Sequence, residues 1–278
     1  MTRLWYSIGV LLLLVGLFHL GVLVITGGPW DGPVSFRKPF TFGVSFGLSV
    51  LTLTWVAGFV RLRWRQLWTG AFAVASLYEV LMITVQAWRG EPSHFNMSTA
   101  LDATIARSLA VGGGVLIAVG IVLTVAAFRG DPAVAPSMRL AVRAGFGTLL
   151  AALAFGGVMI ARGMIEVFSG NQELAYTVAT SVKPAHAIFM HGVLLLPALA
   201  SLPLAESARH RLVRLATWLY VGISAVVSGL AVAGVTLVSP SVASILAAGA
   251  ISGLGITALA LRRYTLRTPS AHTTLPAR

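Results

Sequence analysis

The sequence predicts an all-α protein: a polytopic transmembrane helical bundle of about eight spans, both termini cytoplasmic, in a single membrane domain over 1–263 followed by a disordered cytoplasmic tail over 264–278. Three observations predict it. Apolar residues make up 57% of the 278 and charged residues 10%, against about 25% charged in an ordinary soluble domain, and the mean hydropathy is +0.88. The apolar residues gather into eight stretches, each close to the roughly 20 helical residues that cross a bilayer core. The basic residues collect in alternate connections between those stretches.

Taken in order, the first stretch, about 5–26, follows Arg3 in the manner of a signal peptide, but its apolar run reaches Ile25 and no small-x-small cleavage site follows. It is therefore expected to stay as a helix. The second, 41–60, begins just after Arg37-Lys38-Pro39, and the third, 67–88, stops at Arg89-Gly90. The fourth, 103–128, is preceded by Thr99-x-x-Asp102, which has the spacing of a capping box with Asp in the place of Glu. The fifth, 144–165, carries Arg162 and Glu166 at i, i+4, where a local ion pair is expected. Pro184 suits a first helical turn and opens the sixth, 185–204. The seventh and eighth, 214–237 and 241–261, are joined by Ser239-Pro240-Ser241 and should form a tight antiparallel pair.

With eight spans, 14 of the 20 Lys and Arg fall on the side of the termini, and six, Arg37, Lys38, Arg89, Arg107, Arg162 and Lys183, on the other. The positive-inside rule makes the first side cytoplasmic. It also accounts for a net charge of +12 without nucleic acid as a partner. Asp31, Glu79, Glu91, Asp102, Glu166 and Glu173 lie toward the outer side, as do His19, His94, His186 and His191. Chemistry is expected to face out. The absence of cysteine excludes disulfide frameworks, iron–sulfur clusters and thiolate chemistry.

An ionisable group inside a bilayer costs several kcal/mol unless it has a partner, which makes each one a candidate. Glu79 is the deepest, ten residues before Arg89, or roughly 15 Å at 1.5 Å per residue. Glu79, Met82, Gln86 and Arg89 share one helix face and form a polar stripe that must meet protein or water. Beyond it, Ser93-His94-Phe95-Asn96 has no evident structural role, but chain neighbours rarely meet side chain to side chain, which argues against Ser93 and His94 as nucleophile and base. His186 and His191 are five residues apart, about 140° around a helix, so one face does not offer both to one metal. His19 and His191 sit at matched depth on different spans, the requirement for axial haem ligation. Depth also matches between Glu79 and His191, which predicts that these two are neighbours.

Both lysines precede a proline at the outer start of a span, and aligning Lys38 with Lys183 superposes Pro39 on Pro184 and Gly47 on Gly192, the pattern of a four-plus-four parallel repeat. Gly112-Gly113-Gly114 reads as close helix packing.

The run Phe18-His19-Leu20, Gly27-Gly28-Pro29-Trp30-Asp31-Gly32-Pro33-Val34-Ser35-Phe36-Arg37-Lys38-Pro39, Gln86-Ala87-Trp88-Arg89-Gly90 and Pro92-Ser93-His94-Phe95-Asn96 resembles multi-spanning bacterial membrane proteins that carry no assigned activity. The resemblance covers roughly the first 100 residues plus the His-x4-His element. It implies a bacterial plasma membrane location and names no chemistry. A looser resemblance, to ceramidase-like hydrolases with Ser, Asp and His around zinc, departs from their spacing.

Three functions are expected from these residues. The first is a haem- or metal-binding redox protein, holding haem b or a divalent metal with His19, His191, Glu79 and Gln86 around a cofactor and His94, His186 and His191 as metal ligands. The second is a proton-coupled carrier or receptor for an anionic or lipidic small molecule, with Arg37, Lys38, Arg89, Asn96 and Lys183 as ligand contacts and Glu79 as the proton site. The third is metal-dependent lipid hydrolysis.

Overall fold

A computed structural model describes residues 1–235. The expected eighth span, 241–261, its pairing with the seventh, and the tail lie outside the described residues. Among the described residues every regular element is helical, and seven helical segments are long and apolar enough to cross a membrane. They are α1 (Thr2–Thr26), α2 (Arg37–Val56), α3 (Arg65–Arg89), α4 (Ala100–Arg129), α5 (Pro136–Phe168), a sixth crossing in pieces, and α9 (Glu206–Val232). The sixth comprises α6 (Gln172–Ala175), a 3-10 turn, α7 (Lys183–Met190) and α8 (Gly192–Ala200). Helices α5 and α9 start about two turns before the apolar runs that marked them. Pro136 opens α5 at a position where its missing N–H costs nothing. Glu206 accepts the Ser137 backbone N–H at 2.8 Å and bonds Arg209, holding the starts of α5 and α9 together.

Successive crossings are antiparallel. The tightest pair is α1 with α2, where glycines let the backbones touch: a Cβ on Gly16 would stand 2.7 Å from Val44 N, and one on Gly47 2.8 Å from Leu13 N. The up-down order gives the bundle two ends. One carries Arg3, Arg61, Arg129 and Arg209 near its connections, with Arg61 paired to Asp131 at 2.9 Å. The other, the site end, gathers the C-termini of α1, α3 and α5 and the N-termini of α2, α4 and α7. The core between is apolar, centred on residues such as Leu12, Val50, Leu116, Leu123 and Phe146.

The expected unbroken sixth span is instead a helix interrupted at His191, and the cause is a side chain inserted into its hydrogen-bond ladder. Tyr220 of α9 donates its hydroxyl to Ile188 O, the carbonyl that the Gly192 N–H would take in an unbroken helix. The His191 N–H moves to Ile188 O at 3.3 Å, and its ring nitrogen takes Ala187 O at 2.6 Å. Thr148 and Tyr220 press so closely on Gly192 that no side chain fits there.

Candidate functional site

The site is built on a loop that turns back into the bundle. Helix α3 ends at Gly90 in the left-handed region, φ 73°, and the chain from Glu91 to Ser98 buries Ser93 and Asn96 to 2% and 1% exposure. Non-helical backbone inside a membrane domain needs protein partners for its polar groups. Gln86, fully buried, donates to Pro92 O at 3.2 Å. Gln172 accepts the Met97 N–H at 3.1 Å, and Asn96 accepts the Ser98 N–H at 3.0 Å while donating to Glu91 at 3.1 Å. Phe95 takes a positive φ of 63°, strained for a bulky residue. Its ring fills the space over Gly163 of α5, where a Cβ would lie 2.5 Å away.

Thr99 caps α4 by accepting the Asp102 N–H at 3.1 Å, and Asp102 answers with Oδ2, 2.6 Å from the Thr99 hydroxyl. The other Asp102 oxygen takes Arg89 at 2.8 Å and Gln86 at 3.0 Å, and Arg89 also donates to Gln86. Of the residues expected at a ligand or cofactor, Arg89 is paired with Asp102, Gln86 bonds the loop at Pro92 O, and Asn96 bonds Glu91 and Ser98 within the loop.

Glu79 lies in α3 at 4% exposure, and its Oε2 has no hydrogen-bond partner. Its carboxyl occupies a niche beside Gly112 and Gly113 of α4, so the glycine run read as helix packing is what makes room for the acid. The imidazole facing it is His94, with Nε2 4.0 Å from Oε2. The Nδ1 of His94 is 2.9 Å from Ser93 Oγ, so the two chain neighbours do meet, contrary to the sequence expectation. Phe42 and Phe95 flank the His94 ring, at 5.8 and 6.3 Å between centroids. Burial, and secondarily the Lys38 ammonium, push this ring's pKa down to about 3, so it is neutral at physiological pH.

Lys38, in the first turn of α2, is within electrostatic reach of His94, Lys183 and Arg37. It packs beside Ser35, Ile83, Ala87, Glu91 and Ser93 around a crevice too tight to hold a water. Lys183 begins α7, 3.4 Å from the Thr180 hydroxyl and within reach of Asp31. Arg37 donates to Trp30 O at 2.5 Å with its guanidinium over the Trp30 ring. None of these three cations forms an ion pair within the described residues. Lys38 and Lys183, 145 positions apart in the chain, lie within electrostatic reach of each other.

The remaining histidines stand apart from Glu79. His19 is 2% exposed, with Nδ1 2.7 Å from Val15 O and Nε2 accepting the Trp88 indole N–H at 3.1 Å. Both ring nitrogens are used, so an iron ligand at His19 would first have to displace Trp88. His191 is exposed at the helix break, and the expected Glu79–His191 contact gives way to Glu79–His94 because α7 packs chiefly on α5 and α9. His186 bonds Ala152 O of α5 at 2.7 Å. Among the described residues, no three His, Asp or Glu side chains converge to hold a metal, so His94, His186 and His191 do not form one ligand set. Glu166 bonds Asn171 at 3.2 Å rather than pairing with Arg162. Gln172 and Tyr220 were not singled out in the sequence, where neither carries a motif or a spacing that distinguishes it. Compared with protein-family models, with curated proteins and with solved structures, the chain finds no match.

Proposed function

We propose that this chain is a proton-linked carrier or receptor for a small anionic ligand, with Glu79 as the proton-binding group and Lys38, Lys183 and Arg37 as the cations that draw the ligand to the site end. By the positive-inside rule that end faces away from the cytoplasm, in a bacterial plasma membrane. The observation that carries the reading is a buried carboxyl with an unpartnered oxygen, deep on a crossing helix, facing a neutral imidazole at 4.0 Å. A group of this kind is costly to keep charged and has no structural bond to lose, so its protonation is free to follow the ligand's charge. Two lysines that repel each other and form no ion pair among the described residues are a place where an anion lowers the energy of both. The discontinuous sixth crossing, with Lys183 at the head of its first half, matches the broken helices that line carrier sites.

The test uses proteoliposomes with inorganic phosphate and a short-chain carboxylate as probes. Uptake or binding should rise in the acid direction. Glu79→Gln should remove that pH dependence, and Lys38→Gln with Lys183→Gln should weaken the apparent affinity about tenfold or more. Retention of the wild-type pH response by Glu79→Gln would refute the reading.

A further inference from the structure

We propose that Arg63 and Trp64, in the turn that leads into α3, form a binding site for the headgroup of an anionic phospholipid in the leaflet at the arginine-rich end of the bundle. The site is independent of the proton and anion groups at the other end. Trp64, directly before α3, takes left-handed φ 57° and ψ 34°, one of two non-glycine residues with positive φ among the described residues. That region crowds the Cβ of a bulky residue. Glycine adopts it without that crowding where α1 and α3 end, at Gly27 and Gly90. The other case, Phe95, sets its ring against Gly163 inside the bundle. Trp64 is 64% exposed, so packing within the described residues does not explain an indole at a position that suits glycine.

The placement of the ring does explain it. Trp64, Leu67, Val74, Tyr78, Leu81 and Trp88 are all exposed, at intervals of three, four and seven, and so share one uncharged face of α3 and the turn before it. The two tryptophans are 24 positions apart, roughly 36 Å at 1.5 Å per residue against a hydrocarbon core of roughly 30 Å. Each therefore falls at a membrane–water interface, where an indole is favoured. The Arg63 guanidinium lies over the Trp64 ring, 4.7 Å from its centroid, and is held at the same level. It forms no ion pair among the described residues, while Arg61 is paired with Asp131 and Arg65 is 3.5 Å from Ala57 O. Glu206, the other acid of this end, is held by Arg209. Gln66 bonds Thr2 at 2.8 Å and Trp5 at 3.0 Å, which draws the start of α1, and Arg3 with it, against the start of α3. A guanidinium stacked by its face keeps its edge N–H groups free, and a pair of them matches two phosphate oxygens. With Asp131 and Glu206 both engaged, the ammonium of a zwitterionic headgroup would meet arginines alone. A headgroup of net negative charge is the complement.

The experiment follows tryptophan emission of the full chain in lipid nanodiscs that contain phosphatidylglycerol or phosphatidylcholine brominated near the top of the acyl chains, bromine being a contact quencher. The brominated phosphatidylglycerol should quench the wild type at a lower mole fraction than the brominated phosphatidylcholine. Trp64→Phe should reduce that preference, and Trp218→Phe, at an exposed tryptophan of α9, should keep it. Arg63→Gln leaves every tryptophan in place and should raise the mole fraction of phosphatidylglycerol needed about fivefold. Arg63 and Trp64 are both exposed, so neither substitution opens the core. Equal quenching of the wild type by the two lipids would overturn the site, and so would a preference unchanged in Trp64→Phe or in Arg63→Gln. Loss of the preference on adding inorganic phosphate at constant ionic strength would overturn the lipid as the ligand in favour of a free oxyanion.

Discussion

Alanine at Gly16 and alanine at Gly21 place the same methyl group on the same helix with opposite outcomes. At Gly16 the new Cβ meets Val44 N at 2.7 Å, Phe40 O at 2.9 Å and Gly43 C at 3.0 Å, all backbone atoms that cannot rotate away. At Gly21 it meets nothing within 4 Å. Ordinary contact needs about 3.5 Å or more between such atoms, so α1 and α2 must part by nearly 1 Å at their crossing. Some ~20 atom pairs there, at ~0.15 kcal/mol each, would then lose about a quarter to a half of their attraction, or about 1 kcal/mol. Residual overlap brings the total to about 1–3 kcal/mol. The gain in helix propensity from Gly to Ala, up to about 1 kcal/mol, is common to both variants and cancels in their difference. Unfolding by SDS titration in mixed micelles, followed through tryptophan fluorescence, should therefore rank Gly16→Ala below Gly21→Ala by about 1–3 kcal/mol. A difference under about 0.5 kcal/mol would refute the close crossing.

Two further outcomes follow from the loop. Gln86→Leu keeps the bulk but strands the Pro92 carbonyl, a loss of about 1–3 kcal/mol, so hydrogen exchange at the amides of 91–98 should accelerate about tenfold or more; unchanged exchange would show that Gln86 does not hold the loop. Because the folded state keeps His94 neutral down to about 3, the unfolded chain binds one more proton from the ordinary 6.5 downward. Stability is then complete above 6.5 and is lost as the pH falls through that window, at up to ~1 kcal/mol per unit. His94→Gln should flatten the acid side of the stability curve, and a slope identical to wild type would count against the buried neutral ring.

The crossings were legible because runs of about 20 apolar residues ended by charge have one physical meaning. The starts of α5 and α9 were not, since Arg-bearing turns continue a helix beyond the membrane core without apolar residues to mark them. The depth of Glu79 followed from its ten-residue distance to Arg89. Its partner did not, because counting along helices gives height and leaves direction around the axis open, and His94 comes from a loop rather than a helix. Gln86, Asn96 and Gln172 show the same limit: polar residues that satisfy an inward-folded backbone look in sequence like polar residues waiting for a ligand. The contact of Ser93 with His94 depends on the side-chain torsions of two neighbours, which residue type does not announce.

Tyr220 bears on how the two lysines are mounted. The interruption lies between α7 and α8, where the Tyr220 hydroxyl takes Ile188 O. Helix α2 has no such break, running unbroken from Arg37 to Val56. Lys38 thus stands on an unbroken helix and Lys183 on the short half of a broken one, and the break is braced from the seventh crossing, by a phenol more than 30 residues further along the chain.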